Sequence, residues 1–301
     1  MTVPSEKRQS RYNHNPYLIR VITTRAAKEE NEPIRGLTIL KEELFVVSGK
    51  SSEIEVFDAL KLTFCRRWKM KKLVDPIDIV SCKRNKRLYI MDIKSQGHSK
   101  TILVVNSNGK LLTEVRTGSD YGRLSITEEL NVILTVCQTG KLNVYSSEGQ
   151  LLIEIKLSPE VVHPQHAIGL NNGYFVVSHG CIDQDVHRVC IVDEGGQVKK
   201  SYGGKRGSDV GEMNIPNYLA VDKEGFVLVA DQMNSRVLLL GPDLKLQREI
   251  LSKSLRYPTK IYLNESSSQL MVVDNEVNSI SRPTTCNDGQ ILIFNMEKIG
   301  L

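Results

Sequence analysis

The chain has 301 residues, of which 40% are hydrophobic and 25% charged, and its 40 Lys and Arg against 35 Asp and Glu give a net charge of +5. This composition is typical of a folded globular protein and excludes a largely disordered or fibrous chain. No apolar run approaches the roughly 20 residues of a membrane span, and the polar first residues lack a signal-peptide core, so we expect a cytoplasmic protein without membrane contact.

The N-terminal part of the chain predicts a tail, one strand and a charged link. Residues 1–16 are polar and basic, which favours a disordered tail. Residues 17–23 form a strand-like run that belongs to no neighbouring repeat. Residues 25–33 are charged and predict a linker or a short helical turn.

From about residue 33 onward the chain repeats a unit of roughly 40 to 45 residues. A proline precedes the first strand-like run of five units: Pro33, Pro76, Pro164, Pro216 and Pro258. A further unit without a proline begins near Arg123. The second run of each unit is the most apolar: residues 44–47, 88–91, 132–136, 174–177, 226–230 and 270–273. Such runs suit strands that are buried on both faces between neighbouring sheets.

Short antiparallel strands in six such units predict an all-β fold, a six-bladed β-propeller that spans residues 17–301. The sixth unit supplies only three strands, at residues 259–263, 270–273 and 290–295. We therefore expect residues 17–23 to provide its outer strand. Such a pairing closes the circle of blades and leaves the last blade complete.

The fifth unit has the most complete copy of the repeat. Its fixed positions are occupied by Pro216, Val221, Asp222, Gly225, Ala230, Asp231, Asn234 and Arg236. This pattern resembles the NHL repeat, whereas the other units keep only fragments of it. The resemblance implies a propeller similar to the C-terminal domain of tripartite-motif (TRIM-NHL) proteins, which recruits protein partners or RNA. The sequence contains no RING, B-box or coiled-coil segment, so the resemblance does not extend to ubiquitin-ligase activity.

Metal and catalytic signals are weak. Six cysteines are scattered without a Cys-x-x-Cys pair, so we expect free thiols. The fourth unit concentrates potential zinc ligands without a zinc spacing: His163, His166, His179, Cys181, His187 and Cys190. The glycine-rich residues 203–207 precede a strand rather than a helix, and no Gly-x-Ser-x-Gly elbow occurs. We therefore expect no metal, no cofactor and no enzymatic activity.

Acidic residues end the second run in three units: Asp92, Asp231 and Asp274. Six-bladed lactonases hold an axial metal, which makes an axial-metal hydrolase one alternative function. Serine replaces the acid in two other units, so the acidic set is incomplete. We expect instead that these carboxylates accept backbone N–H groups across the turn, with Asn234 left-handed and Arg236 paired to a carboxylate.

Basic residues predict a binding face. Five of them flank Trp68 at the end of the first unit: Arg66, Arg67, Lys69, Lys71 and Lys72. Lys205 and Arg206 occupy the corresponding connection before the fifth unit, and Arg236 and Arg282 lie in or beside turns between second and third strands. These positions predict one face of the propeller that binds an acidic protein, or RNA with a base stacked on Trp68.

The sequence thus predicts a monomeric, non-catalytic interaction platform that binds a protein partner through loops of one face, with no small-molecule substrate. RNA binding by the basic face is the alternative, and the axial-metal hydrolase is a weaker one. The pI near 8.8 is lower than in dedicated nucleic-acid-binding domains.

Overall fold

The computed structural model describes residues 16–94, 100–118, 122–252, 254–277 and 286–296. These residues form six four-stranded antiparallel sheets, arranged as the blades of a β-propeller. The predicted all-β, six-bladed architecture is confirmed. Residues 1–15 of the predicted tail lie outside the described residues, and so does Arg282.

The strands follow one another outward from the axis in every blade but the last. Strand β1 (Tyr17–Thr23) and helix α1 (Arg25–Glu30) come first in the chain. Blade 1 contains β2 (Ile34–Leu40), β3 (Glu43–Ser48), β4 (Glu53–Asp58) and β5 (Phe64–Lys69). Blade 2 contains β6 (Pro76–Cys82), β7 (Arg87–Ile93), β8 (Lys100–Asn106) and β9 (Leu111–Gly118). Blade 3 contains β10 (Leu124–Ile126), β11 (Val132–Val136), β12 (Lys141–Tyr145) and β13 (Leu151–Lys156).

The second half of the propeller repeats this order. Blade 4 contains β14 (Pro164–Gly169), β15 (Phe175–His179), β16 (Val186–Val192) and β17 (Val198–Lys205). Blade 5 contains β18 (Pro216–Val221), β19 (Val227–Asp231), a 3₁₀ helix (Gln232–Asn234), β20 (Arg236–Leu240) and β21 (Leu246–Leu251). Blade 6 contains β22 (Pro258–Asn264), β23 (Gln269–Val277) and β24 (Cys286–Asn295), and β1 is its outer strand.

The two ends of the chain close the propeller. Strand β1 pairs antiparallel with β24, with Val21 opposite Leu292, which confirms the predicted closure. Helix α1 follows at once because Thr24 Oγ1 caps it, accepting the N–H of Ala27 at 3.1 Å. Asn31, with φ of 54°, ends the helix. The segment predicted as a linker or helical turn is therefore a capped helix of six residues.

The core lies between neighbouring blades. Second strands such as β11 and β19 are buried along their whole length. Leu239 of blade 5 shares a cluster with Leu270 of blade 6, and Leu44 of blade 1 shares one with Met271 of blade 6. A fully buried side chain of this type contributes about 1.5–3 kcal/mol. Burial between blades thus stabilises the circle and leaves the loops free to vary.

The antiparallel order gives the propeller two distinct faces. Connections between blades and turns between second and third strands leave from one end of the axis, which we call the upper face. Turns between first and second and between third and fourth strands lie on the other end, the lower face. Among the residues that the structure describes, no helix is long and apolar enough to cross a membrane.

Candidate functional site

Equivalent residues of the six first strands meet at the axis of the propeller. In five blades the residue follows a one-residue bulge in the pairing with the second strand: Gly36, Asp78, His166, Tyr218 and Lys260. In blade 3 the position belongs to Arg123, whose carbonyl accepts the N–H of Thr135 at 3.0 Å. A bulge turns a side chain away from the regular pleat. We call these six residues the axial ring.

A buried ion pair crosses the axis between blades 2 and 6. The ammonium of Lys260 donates to Asp78 and to the carbonyl of Ile79, the latter at 2.9 Å. The carboxylate of Asp78 also accepts the N–H of Leu124 at 2.8 Å and that of Ile79 at 2.9 Å. Both side chains are fully buried, and burial lowers the pKa of Lys260. All the oxygens of Asp78 are thus occupied by internal donors.

His166 and Tyr218 stack beside this ion pair, with ring centroids 3.8 Å apart. The N–H of Leu219 donates to His166 Nδ1 at 3.1 Å, so the imidazole proton lies on Nε2, 3.2 Å from the carbonyl of Leu124. Burial lowers the pKa of His166 to about 3 and raises that of Tyr218 well above its usual range. Both side chains are neutral near pH 7 and are held by internal contacts.

The axial ring separates two cavities on the axis. The lower cavity has a volume of about 200 Å³, and Tyr218 and Lys260 form part of its wall. The upper cavity has a volume of about 480 Å³ and is lined by Arg35, Lys100 and Arg123 together with apolar side chains. Arg35, Lys100 and Arg123 therefore face the upper side of the propeller, whereas Lys260 lines the lower cavity.

The predicted basic cluster of blade 1 is partly neutralised. Arg66 donates to both carboxylate oxygens of Glu43, at 2.5 and 2.8 Å. Arg67 lies 3.9 Å from a carboxylate oxygen of Glu53, and Lys72 pairs with Glu114. Lys69, Lys71 and Lys205 are exposed on the upper face and form no ion pair with the described residues.

Trp68, predicted to be available for stacking, is half-buried. Its indole packs against Phe45, with ring centroids 5.0 Å apart, and the guanidinium of Arg66 lies 5.2 Å from its centre. A Cβ added at Gly109 of blade 2 would lie 3.5 Å from the indole. The side chain therefore belongs to the contact between blades 1 and 2.

Arg206 and Arg236, both predicted to contact a partner, hold a loop in place through hydrogen bonds. This loop, residues 206–214, connects blades 4 and 5, and we call it the presented loop. Arg236 donates to the carbonyls of Ser208 and Glu212 at 2.8 and 2.9 Å, and only 11% of its side chain is exposed. Arg206 donates to the carbonyl of Ile182 at 2.9 Å, which joins the presented loop to the neighbouring turn.

The aspartates at the ends of second strands bind the connection that leads into the same blade. Asp231 accepts the N–H of Asn214 at 2.7 Å and Arg236 Nε at 2.7 Å. Asp92 and Asp274 accept backbone N–H groups of the incoming connections in the same way. The predicted pairing of Arg236 is confirmed. The expectation that Asn234 is left-handed is wrong, because it ends the 3₁₀ helix and Ser235, with φ of 54°, takes that conformation.

The histidines and cysteines of the fourth unit do not converge on one point. His166 belongs to the axial ring, while His179 Nε2 lies 3.4 Å from Cys190 Sγ between strands of blade 4. Burial lowers the pKa of His179 to about 4 and raises that of Cys190 to about 12. Within the described parts of the chain, no three His, Cys, Asp or Glu side chains are grouped so that they could hold a metal ion.

Sequence reasoning missed the axial ring, although a signal for it exists. In four units the ring residue stands two positions after the proline that begins the blade: Asp78, His166, Tyr218 and Lys260. Polar or aromatic residues at one position of an otherwise apolar first strand indicate a shared polar environment. The repeat predicts that they are equivalent, but only the closed circle of blades shows which of them touch.

No family model matches the sequence, and no curated protein matches it. The chain is similar to a solved protein of unknown function from Bacteroides caccae, with a TM-score of 0.55 and 14% identity over 77% of this chain and 86% of that one. It is also similar to the hydrazine synthase of Kuenenia stuttgartiensis, with a TM-score of 0.58 and 12% identity over 84% of this chain and 94% of that one. At these identities the likeness shows the propeller fold alone, and the fold does not by itself decide whether the protein is catalytic.

Proposed function

We propose that this propeller is a non-catalytic, NHL-like interaction platform that binds a protein partner through its upper face. The observation that carries the proposal is the presented loop, which is held by many hydrogen bonds and yet displays an exposed apolar side chain. Val210 at its tip is 88% exposed. An ordered loop binds a partner at a lower entropic cost than a mobile one.

Hydrogen bonds on both sides of its tip hold the presented loop in one conformation. The N–H of Gly207 donates to the carbonyl of Met213 at 3.0 Å, and the N–H of Gly211 donates to Tyr202 Oη at 3.2 Å. Asn234 and Arg236 bind its backbone from blade 5. These contacts fix the loop although its outward side chain has no role in the core.

The surroundings of the loop favour a protein partner with an apolar contact residue. Ile182, in the turn that Arg206 joins to the loop, is 42% exposed. Lys205 stands at the end of β17 beside the loop, and the exposed Asp183 and Asp209 lie next to the two apolar side chains. Two exposed apolar side chains with both charge signs around them suit a partner that combines a small apolar anchor with polar neighbours.

The axial ring supports the non-catalytic part of the proposal. A general base or nucleophile must have a free proton acceptor near its substrate. The acceptor atoms of Asp78 and His166 are already bound, by Lys260 and by backbone N–H groups. The ring therefore resembles a structural polar network more than a reactive centre.

The RNA-binding alternative has less support from the geometry. Arg66, Arg67 and Lys72 lie beside carboxylates, and the indole of Trp68 is packed between blades. Phosphate contacts need free cations, and base stacking needs a free aromatic face.

Affinity capture from extract of the source organism, followed by calorimetry with the purified partner, tests the proposal. We expect one protein to be retained by the wild-type chain and to bind at least tenfold more weakly to Val210→Asp and Ile182→Asp, because a charge is then placed in an apolar contact. Leu60→Asp is the matched control, since Leu60 is 77% exposed on the lower face. Equal losses in all three variants, or eluates that contain only RNA, would contradict the proposal.

A further inference from the structure

The upper axial cavity has a charged wall and an apolar wall. Arg35 of blade 1, Lys100 of blade 2 and Arg123 of blade 3 line it, and Ile77 and Ile93 of blade 2 provide apolar surface. Its volume of about 480 Å³ falls within the range of small-molecule sites. Such a cavity has the size and the mixed lining that a small organic molecule needs.

No Asp or Glu is among the described residues that line this cavity. The lining consists of Arg35, Ile77, Ile93, Lys100, Gly122, Arg123, Cys137 and Gln165. The nearest axial carboxylate, Asp78, is already paired with Lys260 below the cavity. An anion in the cavity would therefore meet cationic, amide and apolar lining side chains and no lining carboxylate.

Arg35 and Arg123 both have N–H groups that could donate to a ligand. Arg35 Nε is buried without a hydrogen-bond partner in the described structure. Arg123 reaches Asn217 Oδ1 only at 3.4 Å, and its guanidinium lies 5.7 Å from the centre of the Tyr218 ring. Buried donors are usually satisfied, and a guanidinium binds the two oxygens of a carboxylate or phosphate in parallel.

We propose that the upper axial cavity binds a small organic acid. Its carboxylate or phosphate group is held by Arg35 and Arg123, and its apolar part lies against Ile77 and Ile93. This site goes beyond the protein platform and does not depend on it. It also goes beyond the sequence-based expectation, which included no small-molecule substrate.

The lower face of the propeller has a groove whose lining differs in charge from that of the upper cavity. A groove of about 500 Å³ on the lower face is lined by four acidic residues: Glu128, Asp222, Glu224 and Glu265. With Lys223 as the one cation among the described lining residues, this groove suits an anion less well than the upper axial cavity does. Arg84 provides a control substitution, because it is exposed in the β6–β7 turn of the lower face, away from the upper cavity.

The test is calorimetric titration of the full chain with benzoate, phenyl phosphate and the uncharged analogue benzamide, at fixed ionic strength in a buffer without oxyanions. We expect saturable 1:1 binding of at least one anion and none of benzamide. Arg35→Gln and Arg123→Gln should each weaken binding roughly 10- to 100-fold, because each removes a charge-assisted hydrogen-bonding group. Arg35→Lys should fall between wild type and Arg35→Gln, while Arg84→Gln, with the same change of charge, should bind like wild type.

Thermal unfolding of each variant shows whether it is folded. Arg123 also packs over Tyr218, so Arg35→Gln decides the outcome if Arg123→Gln does not fold. Failure of both anions to bind at up to about 10 mM would overturn the proposal, since that is a weak limit for a charge-assisted site. Equal binding of benzamide, or an equal loss in Arg84→Gln, would overturn it as well. Neither result would bear on the protein partner, which is measured through Val210.

Discussion

Replacing Lys260 by Met tests whether the axial ion pair stabilises the closed circle of blades. Met has nearly the length of Lys but removes the ammonium that binds Asp78 and the carbonyl of Ile79. Lys260 Nζ also lies 4.7 Å from the centre of the Tyr218 ring. The substitution leaves the Asp78 carboxylate buried with backbone donors as its main partners.

The expected loss is about 3–5 kcal/mol in the free energy of unfolding, the usual result when one partner of a buried ion pair is removed. The side chains of Lys260 and Asp78 are 2% and 0% exposed, so solvent cannot replace the lost partner. The double variant Asp78→Asn/Lys260→Met no longer buries an unpaired charge. Its loss should therefore be smaller than the sum of the two single losses by at least about 1 kcal/mol.

Equilibrium unfolding in urea measures both quantities. The fluorescence of Trp68 reports on blade 1 and far-ultraviolet circular dichroism on all blades, and the two transitions should coincide if the closed circle unfolds as one unit. Lys200→Met, on the exposed outer strand of blade 4, is the matched control and should change stability by less than about 0.5 kcal/mol. A loss below about 1 kcal/mol for Lys260→Met, or strictly additive single losses, would refute the reasoning.

Three further predictions follow from single side chains. The pKa of His166 is about 3 in the folded protein and 6.5 ordinarily, so the unfolded chain takes up the proton first and stability falls as the pH drops below 6.5. Urea unfolding gives the decrease in the free energy of unfolding between pH 7 and pH 5, and this decrease should be about 2 kcal/mol smaller in His166→Gln than in wild type. Equal decreases in the two proteins would show that another group is responsible. Gly36→Ala should cost about 1–3 kcal/mol, because its Cβ would lie 2.8 Å from Ile79 N, whereas Gly204→Ala meets nothing within 4 Å and should be nearly neutral in the same urea assay. Arg236→Lys keeps the charge but loses contacts to the presented loop, so hydrogen exchange should speed up in residues 206–214; unchanged protection would show that other contacts hold the loop.

The architecture could be predicted because its signals are local. Apolar runs, turn residues and the prolines before five units depend on neighbours in sequence, and the structure reproduces the bounds of the strands Tyr17–Thr23 and Val132–Val136. The closure by Tyr17–Thr23 followed from counting strands, since the sixth unit lacked one. The turn after β19 was predicted less well, because Asn234 and Ser235 can both adopt a left-handed conformation and the 3₁₀ helix selects the second.

The candidate site could be predicted only in part. The sequence placed basic residues at the end of the first unit, but it could not show that Arg66 pairs with Glu43, 23 residues away, across the strands of blade 1. It placed Arg236 beside a turn, but it could not show that the side chain lies beneath the presented loop and binds its backbone. Charge counts do not distinguish a free cation from a paired one, because the pairing depends on strand register and on the distance between blades.

The sequence by itself determined the number of blades, their strand order and the strand that closes them, because periodicity and turn chemistry act over a few residues. Only the tertiary structure decided which side chains meet at the axis. Asp78 and Lys260 are separated by 182 positions, and they touch because six blades of this twist close around a narrow centre. The same closure leaves Arg35 and Arg123 facing one cavity from blades 1 and 3, an arrangement that no local pattern specifies.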